Sequence, residues 1–537
     1  MTSIHKICLV VTLLFSIVVA DIQPGQYDYG FTADMRLRKR APSQSSIVSG
    51  PPRFNGEVQL RPDIRDLQKD EDKWNLYLLA LSWMQFTDQE SPFSWYQITE
   101  LQDRFQEAAA TFRIPYWDWA AVPPDGDSVL PPSVGDSPFI NVTGPNGPQT
   151  ITNPLFSYVF RPFNTHALDV HLPSFQQRLY NLFSNYPIYA NFSNEAWIPG
   201  PNNGSYDSLE SLHDAIHTVG GGVYGHLAII AYSGFDPLFW LHHANVDRIF
   251  TMWQYLYNDT YVIPQPAVYS SHTTSPGQVE NSQTPLTPFF VNETDFWTAD
   301  MVRDHQVFGY SYAEVANKSR AELVATINKL YGKFSPASIF TRPDRSLRHN
   351  SRHTKHSNHR GSYKANGISW NSQSSNRPFL GAIFRNGRYR EWIANIRVNK
   401  HALGGSFSIH LFLGDVPPDP SLWPVAPNLV GTHGIFAHKS VHGHVSDRMV
   451  TGTIPITSAL MHMVASGKVS SLHAEDAEPF LKSNLKVRVS LANGKVVNAR
   501  HVNGLCINIV SSAVKAPESN STLSEWGDME THFNLLA

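Results

Sequence analysis

The sequence predicts a mainly α protein, in which a helical bundle holds a metal site and a β-rich C-terminal domain follows it. Two observations predict this arrangement. Residues 207–259 place apolar side chains at helical spacing around two pairs of histidines. From residue 379 onwards the pattern alternates instead and is rich in β-branched residues. The composition, with 42% hydrophobic and 16% charged residues over 537 positions, fits a globular chain of more than one domain.

The first 40 residues predict targeting and processing. A lysine at position 6, an apolar run over 7–19 and a small residue at position 20 are typical of a secretory signal peptide, residues 1–20. The basic run at 36–40 favours cleavage, so residues 21–40 are interpreted as a propeptide, with a plain basic surface run as the alternative. We therefore expect a protein of the secretory pathway, either secreted or vacuolar. No later segment approaches the roughly 20 apolar residues of a membrane span, so no membrane partner is expected.

Glycosylation, charge and cysteine content agree with this expectation. N-x-S/T sequons, the acceptor sites for N-glycans in secreted proteins, occur at Asn141, Asn191, Asn203, Asn258, Asn292, Asn317 and Asn520. A formal net charge of −3 suggests no nucleic-acid partner. The only cysteines are Cys8 and Cys506, and Cys8 would leave with the signal peptide, so no intrachain disulfide is expected.

The first helix of the metal-binding segment carries two histidines on one face. Asp207 followed three residues later by Glu210 is similar to a capping box, and apolar residues then recur at helical spacing. His213 and His217 are one turn apart, so their imidazoles can converge on one metal ion. The glycines at 220–222 predict the end of this helix.

The second helix carries two adjacent histidines. It begins at Asp236-Pro237, in the usual order of N-cap and first turn, and contains His242 and His243. Adjacent helical residues point about 100° apart, so only one of the two can face the same ion. Periodicity alone does not decide which.

The second helix resembles a known metal half-site. The string FDPLFWLHHANVDR, downstream of HxxxH, is similar to the second metal half-site of the tyrosinase, catechol oxidase and hemocyanin superfamily. The resemblance implies that His213, His217 and His243 are the ligands and that His242 is a neighbour outside the coordination sphere. It also implies a tyrosinase-like metal-binding domain over residues 41–333. The motifs TFRIPYWDWA, at 111–120, and FGYSY, at 308–312, resemble the same family.

The first metal half-site of that superfamily is missing. Family members carry several tens of residues, including three histidines, where SPFSWYQITE here runs straight into LQDRFQEAAATFRIPYW. No histidine occurs from Ile7 to Thr165. His166 and His171 follow at i and i+5, which does not place them on one helical face, and we interpret them as structural or surface residues.

The second half of the chain predicts a linker, a β-rich domain and a tail. Residues 334–378, rich in Ser, Arg, Asn and His, are interpreted as a flexible linker, with opportunistic metal binding as the alternative. Residues 379–515 resemble the β-rich domain that covers the metal cleft in fungal pro-tyrosinases, and residues 516–537 are interpreted as a tail. The run THGIFAHKSVHGH is interpreted as a polar loop or as a source of further metal ligands at His433, His438, His442 and His444.

One site of three imidazoles with an open position is typical of catalytic zinc, which activates water or polarises a carbonyl. Three imidazoles also suit copper, so Zn²⁺ is expected and Cu²⁺ is the alternative. With its first half-site missing, the chain resembles the hemocyanin-like fungal cyclopenases of secondary metabolism. These metal-dependent lyases contract a benzodiazepinedione to a viridicatin-type quinolone alkaloid without O₂. By this hypothesis Asp214 or Glu210 relays a proton or orients the ligand imidazoles.

The expected partner is a small aromatic substrate. Tyr224, Phe235, Phe239 and Trp240 are candidate walls of its pocket, with core packing as the alternative. A tyrosinase or other phenol oxidase, using dinuclear copper and O₂ on monophenols or o-diphenols, remains an alternative if the gene prediction skips an exon that encodes the first copper segment. A non-catalytic hemocyanin-like binding protein is a further alternative. The sequence predicts no particular oligomeric state.

Overall fold

The computed structural model describes residues 47–51, 53–86, 108–124, 126–144, 147–156, 165–197, 206–267, 270, 273–336, 338, 377–438 and 448–537. Helices account for about 37% and strands for about 25%. The term mainly α therefore fits the N-terminal part only, and the whole chain combines a helical domain with a β-rich one. The expected signal peptide, propeptide, most of the linker, Asn203, His442 and His444 lie outside the described residues.

Helices dominate the domain up to residue 338, which we call the helical domain. In chain order they are α1 (Ile64–Leu67), α2 (Glu71–Phe86), α3 (Pro132–Gly135), α4 (Thr165–Asn185), α5 (Tyr189–Ser193), α6 (Leu209–Gly221), α7 (Ile230–Ser233), α8 (Pro237–Leu256), α9 (Ala299–Val302) and α10 (Arg320–Tyr331). Short 3-10 helices span His226–Ala228 and His305–Phe308.

Short strands link the loops of the helical domain. The strand β1 (Gln59–Leu60) runs parallel to β8 (Tyr310–Ser311). The antiparallel pairs are β2 (Phe139–Gly144) with β3 (Gly147–Thr152), β4 (Gln265–Pro266) with β5 (Val279–Glu280), and β6 (Pro285–Phe290) with β7 (Phe296–Thr298).

A buried ion cluster fixes α8 in the helical domain. Arg248, 1% exposed, lies with its guanidinium nitrogens 3.1 Å from the Asp118 carboxylate and 2.6 Å from Glu314. The Trp117 backbone N–H also donates to the Leu241 carbonyl of α8, at 3.1 Å. The aromatic segment at 111–120 thus holds the helix that carries His242 and His243, which explains why both motifs occur in one domain.

The C-terminal domain, residues 377–537, contains two antiparallel sheets. In chain order its elements are α11 (Arg377–Ile383), β9 (Phe384–Arg385), β10 (Arg388–Asn399), β11 (Phe407–Leu413), β12 (Leu429–Ile435), β13 (Met449–Pro455), α12 (Thr457–Ala465), α13 (Ala474–Asn484), β14 (Leu485–Leu491), β15 (Val496–Val497), β16 (Cys506–Lys515) and β17 (Glu525–Asn534). One sheet has the order β13-β10-β16-β17, with β9 beside β10, and the other has the order β12-β11-β14-β15. Asn493 and Gly494, the latter with φ +79°, lie in the hairpin turn that joins β14 to β15.

The segment expected as a tail, residues 516–537, contains a strand. Residues 525–534 form β17, which pairs with β16 from Asn508 to Lys515. Polar and charged side chains dominate this strand, because it lies at the edge of its sheet and many of its residues are exposed. The alternating apolar pattern that reveals an interior strand is therefore weak here.

The C-terminal domain packs directly against α6. A side chain at Gly434, in β12, would place its Cβ 2.0 Å from Thr218 Oγ1 and 2.9 Å from the Asp214 carbonyl oxygen. Only glycine allows the strand to approach the helix this closely. The sheet edge therefore reaches the same turn of helix that carries the predicted metal ligands. Among the helices that the structure describes, none is long and apolar enough to cross a membrane.

The sequon asparagines lie at accessible positions. Asn191 is half-buried, and the others within the described residues are exposed, namely Asn141, Asn258, Asn292, Asn317 and Asn520. Their glycosylation stays a prediction.

Candidate metal centre

The start of α6 differs by one residue from the sequence prediction. Ser208 is the N-cap, and its hydroxyl accepts a hydrogen bond from the Ser211 backbone N–H at 3.0 Å. Asp207 does not cap the helix, because its carboxylate accepts from both Nε and Nη2 of the buried Arg178, at 2.8 and 2.6 Å. The helix ends at Gly222, whose φ of +57° suits glycine.

The start of α8 follows the prediction. Asp236 is the N-cap and accepts from the Leu238 backbone N–H at 3.0 Å, and Pro237 occupies the first turn. These two caps fix where α6 and α8 begin. The caps therefore determine which histidines of the two helices face each other.

Three histidines point their Nε2 atoms to one place. His213 Nε2 lies 3.0 Å from Nε2 of both His217 and His243. His213 and His217 come from successive turns of α6, while His243 comes from α8. The structure thus brings together the three residues that the sequence resemblance selected as ligands; their binding of a metal stays a prediction.

The other ring nitrogens of this trio are fixed by hydrogen bonds. Nδ1 of His217 donates to the Leu227 carbonyl at 2.8 Å, and Nδ1 of His243 donates to the Phe239 carbonyl at 2.8 Å. A carbonyl oxygen only accepts, so both Nδ1 atoms carry the proton and both neutral rings direct Nε2 lone pairs into the centre. Nδ1 of His213 lies 3.0 Å from Asp214 Oδ1. Three converging lone pairs repel one another, and a metal cation is the species that suits them.

The fourth histidine of the cluster is His242. It is 0% exposed, its ring lies 5.0 Å from that of His213, and all four histidines fall within one group that could hold a metal ion. Its two ring nitrogens have no hydrogen-bond partner within the residues that the structure describes. It lies instead beside Trp119, with 6.1 Å between ring centroids. Its expected place outside the coordination sphere stays a prediction.

Burial keeps the imidazoles neutral. It lowers the pKa of His213 and of His243 to about 4 and that of His217 to about 2. The pKa of His242 is also lowered, by burial and by the neighbouring imidazoles. Neutral imidazole is the form that binds metals, so the trio is ready to bind metal above about pH 5.

Asp214, rather than Glu210, contacts a predicted ligand. Asp214 Oδ1 faces Nδ1 of His213, whereas the Glu210 carboxylate accepts from the Glu195 backbone N–H at 3.0 Å. Burial raises the pKa of Asp214 to about 7, although Lys400 and the Phe436 N–H favour its charged form. Asp214 is therefore the carboxylate placed to orient an imidazole or to accept a proton beside it.

Two phenylalanine rings cover the imidazoles. The Phe239 ring lies 3.9 Å from that of His243, and the Phe436 ring lies 4.2 Å from that of His217 with only 13° between the planes. The other candidate pocket walls are largely exposed, with 77% exposure for Phe235, 53% for Trp240 and 51% for Tyr224. Of the four aromatic residues proposed from sequence, Phe239 is the one that contacts the predicted ligands.

The remaining histidines named in the sequence analysis that the structure describes do not join the trio. His171 is buried and bonds to the Ala167 carbonyl and the Thr432 hydroxyl, both at 2.7 Å, while His166 is exposed. His433 is buried with Nδ1 3.5 Å from Ser211 Oγ, and His438 is exposed. The described residues contain no second group of three metal-ligating side chains. Neither His433 nor His438 therefore supplies a further ligand here.

Two residues of the C-terminal domain reach the centre without any sequence signal. The Phe436 backbone N–H donates to Asp214 Oδ2 at 3.1 Å, and Lys400 Nζ lies 3.6 Å from the same oxygen. Both contacts join residues more than 180 positions apart, so no spacing rule could have found them. The sequence analysis considered the histidines of the run THGIFAHKSVHGH as further metal ligands, but the residue of this run that contacts the trio is Phe436.

Comparison with known proteins gives a consistent result over most of the chain. Residues 93–256 match the common central domain of tyrosinase, and residues 391–509 match the tyrosinase C-terminal domain. A tyrosinase of Podospora anserina is 30% identical over 447 residues, which cover 69% of this chain and 76% of that protein. A tyrosinase of Neurospora crassa is 26% identical over 645 positions, covering 88% of this chain and 94% of that protein.

A solved structure agrees at the level of the fold. The structure of recombinant mushroom tyrosinase matches with a TM-score of 0.67 at 20% identity, covering 90% of this chain and 98% of that one. The Neurospora alignment extends over 645 positions, more than the 537 residues present here. That relative therefore carries residues that this chain lacks.

Proposed function

The chain belongs to the tyrosinase family, and we propose that, together with a segment that holds a first copper ion, it forms a copper-dependent oxidoreductase that acts on small phenols or o-diphenols. The observation that carries this proposal is the convergence of three imidazole Nε2 atoms between α6 and α8, with that of His213 lying 3.0 Å from each of the other two. The tyrosinase relatives favour Cu²⁺ over the Zn²⁺ that the sequence pattern suggested. When bound, copper supplies the electron transfer that couples phenol oxidation to O₂ reduction.

The side chains around the trio provide the remaining functions. His213, His217 and His243 would hold the ion, with Leu227, Phe239 and Asp214 fixing their ring orientations. The Phe239 and Phe436 rings exclude water from the imidazoles, and the Phe436 ring occupies the space on His217 that a stacked aromatic substrate would need. Asp214, buried beside His213, is the nearest described carboxylate that could take up a phenolic proton.

The oxidase reaction of this family uses two copper ions, and the residues that the structure describes supply one group of histidines that could hold a metal. We propose that the oxidase is translated from a transcript with an additional segment between Gln97 and Arg104, where family members carry the ligands of the first copper. The residues that the Neurospora relative has and this chain lacks support this proposal. Sequencing the transcript across this junction tests it. A continuous transcript identical to the printed sequence would contradict it.

Metal analysis and oxygen uptake test the function of the protein itself. We expect about one copper per 537-residue chain and no oxygen uptake with a catechol. A form that includes the additional segment should hold two copper ions and consume oxygen. A protein with the additional segment that binds two copper ions but leaves phenols unchanged would contradict the oxidase and favour a hemocyanin-like binding protein.

A second candidate function is a metal-dependent lyase of the cyclopenase kind. The absence of histidine from Ile7 to Thr165 favours it, because one three-histidine site suits a redox-neutral reaction. In this case the printed chain, with Zn²⁺ or Cu²⁺, should convert a benzodiazepinedione to a quinolone under anaerobic conditions. Turnover that strictly requires O₂ would exclude this candidate. For either function we also propose passage through the secretory pathway.

A further inference from the structure

The three predicted ligands are not held in the same way. His217 and His243 bond through Nδ1 to backbone carbonyls of the helical domain, at Leu227 and Phe239. His213 instead bonds through Nδ1 to the Asp214 side chain at 3.0 Å. A backbone carbonyl cannot rotate away, whereas a carboxylate can. The Glu210 backbone also bonds to the His213 ring, but the hydrogen bond between Nδ1 and the carboxylate depends on whatever fixes Asp214.

The C-terminal domain fixes Asp214. Its second carboxylate oxygen, Oδ2, accepts from the Phe436 backbone N–H at 3.1 Å and lies 3.6 Å from Lys400 Nζ. Phe436 directly follows β12, and Lys400 directly follows β10, so two strands of the same domain end at this carboxylate. In the described part of the chain, Lys400 is the one lysine or arginine within ion-pair distance of Asp214.

Lys400 is itself held rigidly. Its side chain is 15% exposed, and its ammonium also donates to the carboxylate of Glu195, whose side chain is 2% exposed. The Glu195 backbone is fixed by Glu210 of α6 and by Thr451 of β13, whose N–H donates to the Glu195 carbonyl at 2.8 Å. The ammonium therefore lies at a defined point between the two domains, surrounded by the carboxylates of Glu195, Asp214 and Glu210.

We propose that Lys400 is a positioning residue of the metal centre, through which the docked C-terminal domain fixes Asp214 and thereby orients the His213 imidazole for metal. The inference rests on the proposed metal binding by the histidine trio. It gives the C-terminal domain a role in building the site, in addition to covering it. Residues that orient a ligand imidazole typically contribute about 10- to 100-fold to metal affinity.

The test measures Cu²⁺ binding to the full chain by competition with a chelator, together with the electron paramagnetic resonance spectrum at one equivalent. Lys400→Met should weaken copper binding about 10- to 100-fold and change the copper hyperfine splitting. Lys400→Arg retains the cation and should restore both properties to near wild type. Lys482→Met is the matched control, because Lys482 is 51% exposed and pairs with Glu478, and it should leave both unchanged.

A second substitution tests the route through Asp214. Asp214→Asn retains the side-chain volume, and Lys400→Met should have no further effect on copper affinity in that background. If Lys400→Met is unfolded by circular dichroism, Asp214→Asn alone carries the test and should weaken binding and change the spectrum.

The outcomes separate the inference from the proposed function. A Lys400→Met protein with wild-type copper affinity and spectrum would overturn the role of Lys400. An Asp214→Asn protein with wild-type copper affinity and spectrum would overturn it as well. In both cases copper binding by the trio would stand. A wild-type chain that binds neither Cu²⁺ nor Zn²⁺ would remove the proposed function and this inference together.

Discussion

The Phe436 ring of the C-terminal domain lies flat on the His217 imidazole of the helical domain, with 4.2 Å between centroids. Phe436 is 8% exposed, and its backbone N–H is anchored on Asp214. Phe436 thus contacts the predicted ligand His217 with its ring. Its backbone contacts Asp214, which is the neighbour of the predicted ligand His213. A phenolic substrate that stacked on His217 would need the same space as this ring.

Phe436→Ala should therefore make the metal centre more accessible to small ligands. Removal of the ring leaves the Asp214 hydrogen bond intact, since that bond uses the backbone. We expect azide to bind copper in the variant at least about tenfold faster than in wild type, as measured by stopped-flow absorbance, because the ring no longer blocks the His217 side. Phe533→Ala is the control, since Phe533 lies in the edge strand β17, where its ring is near Lys482, and should not alter azide binding. Equal rates in Phe436→Ala and wild type would show that ligands enter by another route.

His217→Ala should abolish metal binding and turnover. Nε2 of His217 is one of three converging nitrogens, and two imidazoles bind copper far more weakly than three. We expect at least a 100-fold loss of copper affinity, with secretion and far-ultraviolet circular dichroism close to wild type. His166→Ala removes an exposed imidazole and serves as the control. Retained activity in His217→Ala would refute the assignment of the ligands.

Local rules predicted the helical part of the centre. Two features depend only on neighbouring residues and could therefore be predicted from the sequence. They are the i, i+4 spacing of His213 and His217 and the helix start at Asp236-Pro237. Periodicity could not choose between His242 and His243, because that choice depends on how α8 rotates against α6. In the structure His243 Nε2 lies 3.0 Å from His213 Nε2, while the His242 ring lies between the histidine rings and Trp119. The selection of His243 as the ligand, which rests on the family resemblance, stays a prediction.

Contacts between the domains could not be predicted. Asp207 looks like a helix cap in sequence, but its carboxylate accepts from Arg178 of α4 and from Thr453 of the C-terminal domain. Lys400 and Phe436 reach Asp214 through a docking that depends on Gly434 and on two complete sheets. Such contacts have no period, because each partner's position is determined by a separate domain.

Arg178→Met should strongly destabilise the folded chain. The ion pair of Arg178 and Asp207 is bidentate, with side chains 0% and 2% exposed, and Thr453 of the C-terminal domain also donates to Asp207. Removal of one partner leaves a buried charge unpaired, which costs about 3–5 kcal/mol of unfolding free energy. Urea denaturation of the full chain measures this loss.

Two further proteins check the cause of that loss. Arg178→Met combined with Asp207→Asn should lose less than the sum of the two single changes, because the partners interact directly. Arg385→Met, which removes a largely exposed pair with Glu475, should cost no more than about 1 kcal/mol. Additive effects in the double variant would show that the pair contributes no coupling.

Glu391 should make the stability depend on pH between about pH 4 and pH 8. This residue of β10 is 1% exposed and accepts from Gln177 of α4, and burial raises its pKa to about 8. In the unfolded chain the same carboxyl titrates near pH 4, so between about pH 4 and 8 the folded state holds a proton that the unfolded state has lost. The contribution is fully present below the unfolded pKa and is lost as the pH rises to about 8.

Glu391→Gln stays neutral, so the melting temperature of this variant should rise relative to wild type from pH 5 to pH 8.5. At about 1.4 kcal/mol per pKa unit the difference reaches a few kcal/mol. The exposed Glu475→Gln change is the control, and parallel pH profiles for Glu391→Gln and wild type would show that Glu391 is ionised in the folded protein throughout this range.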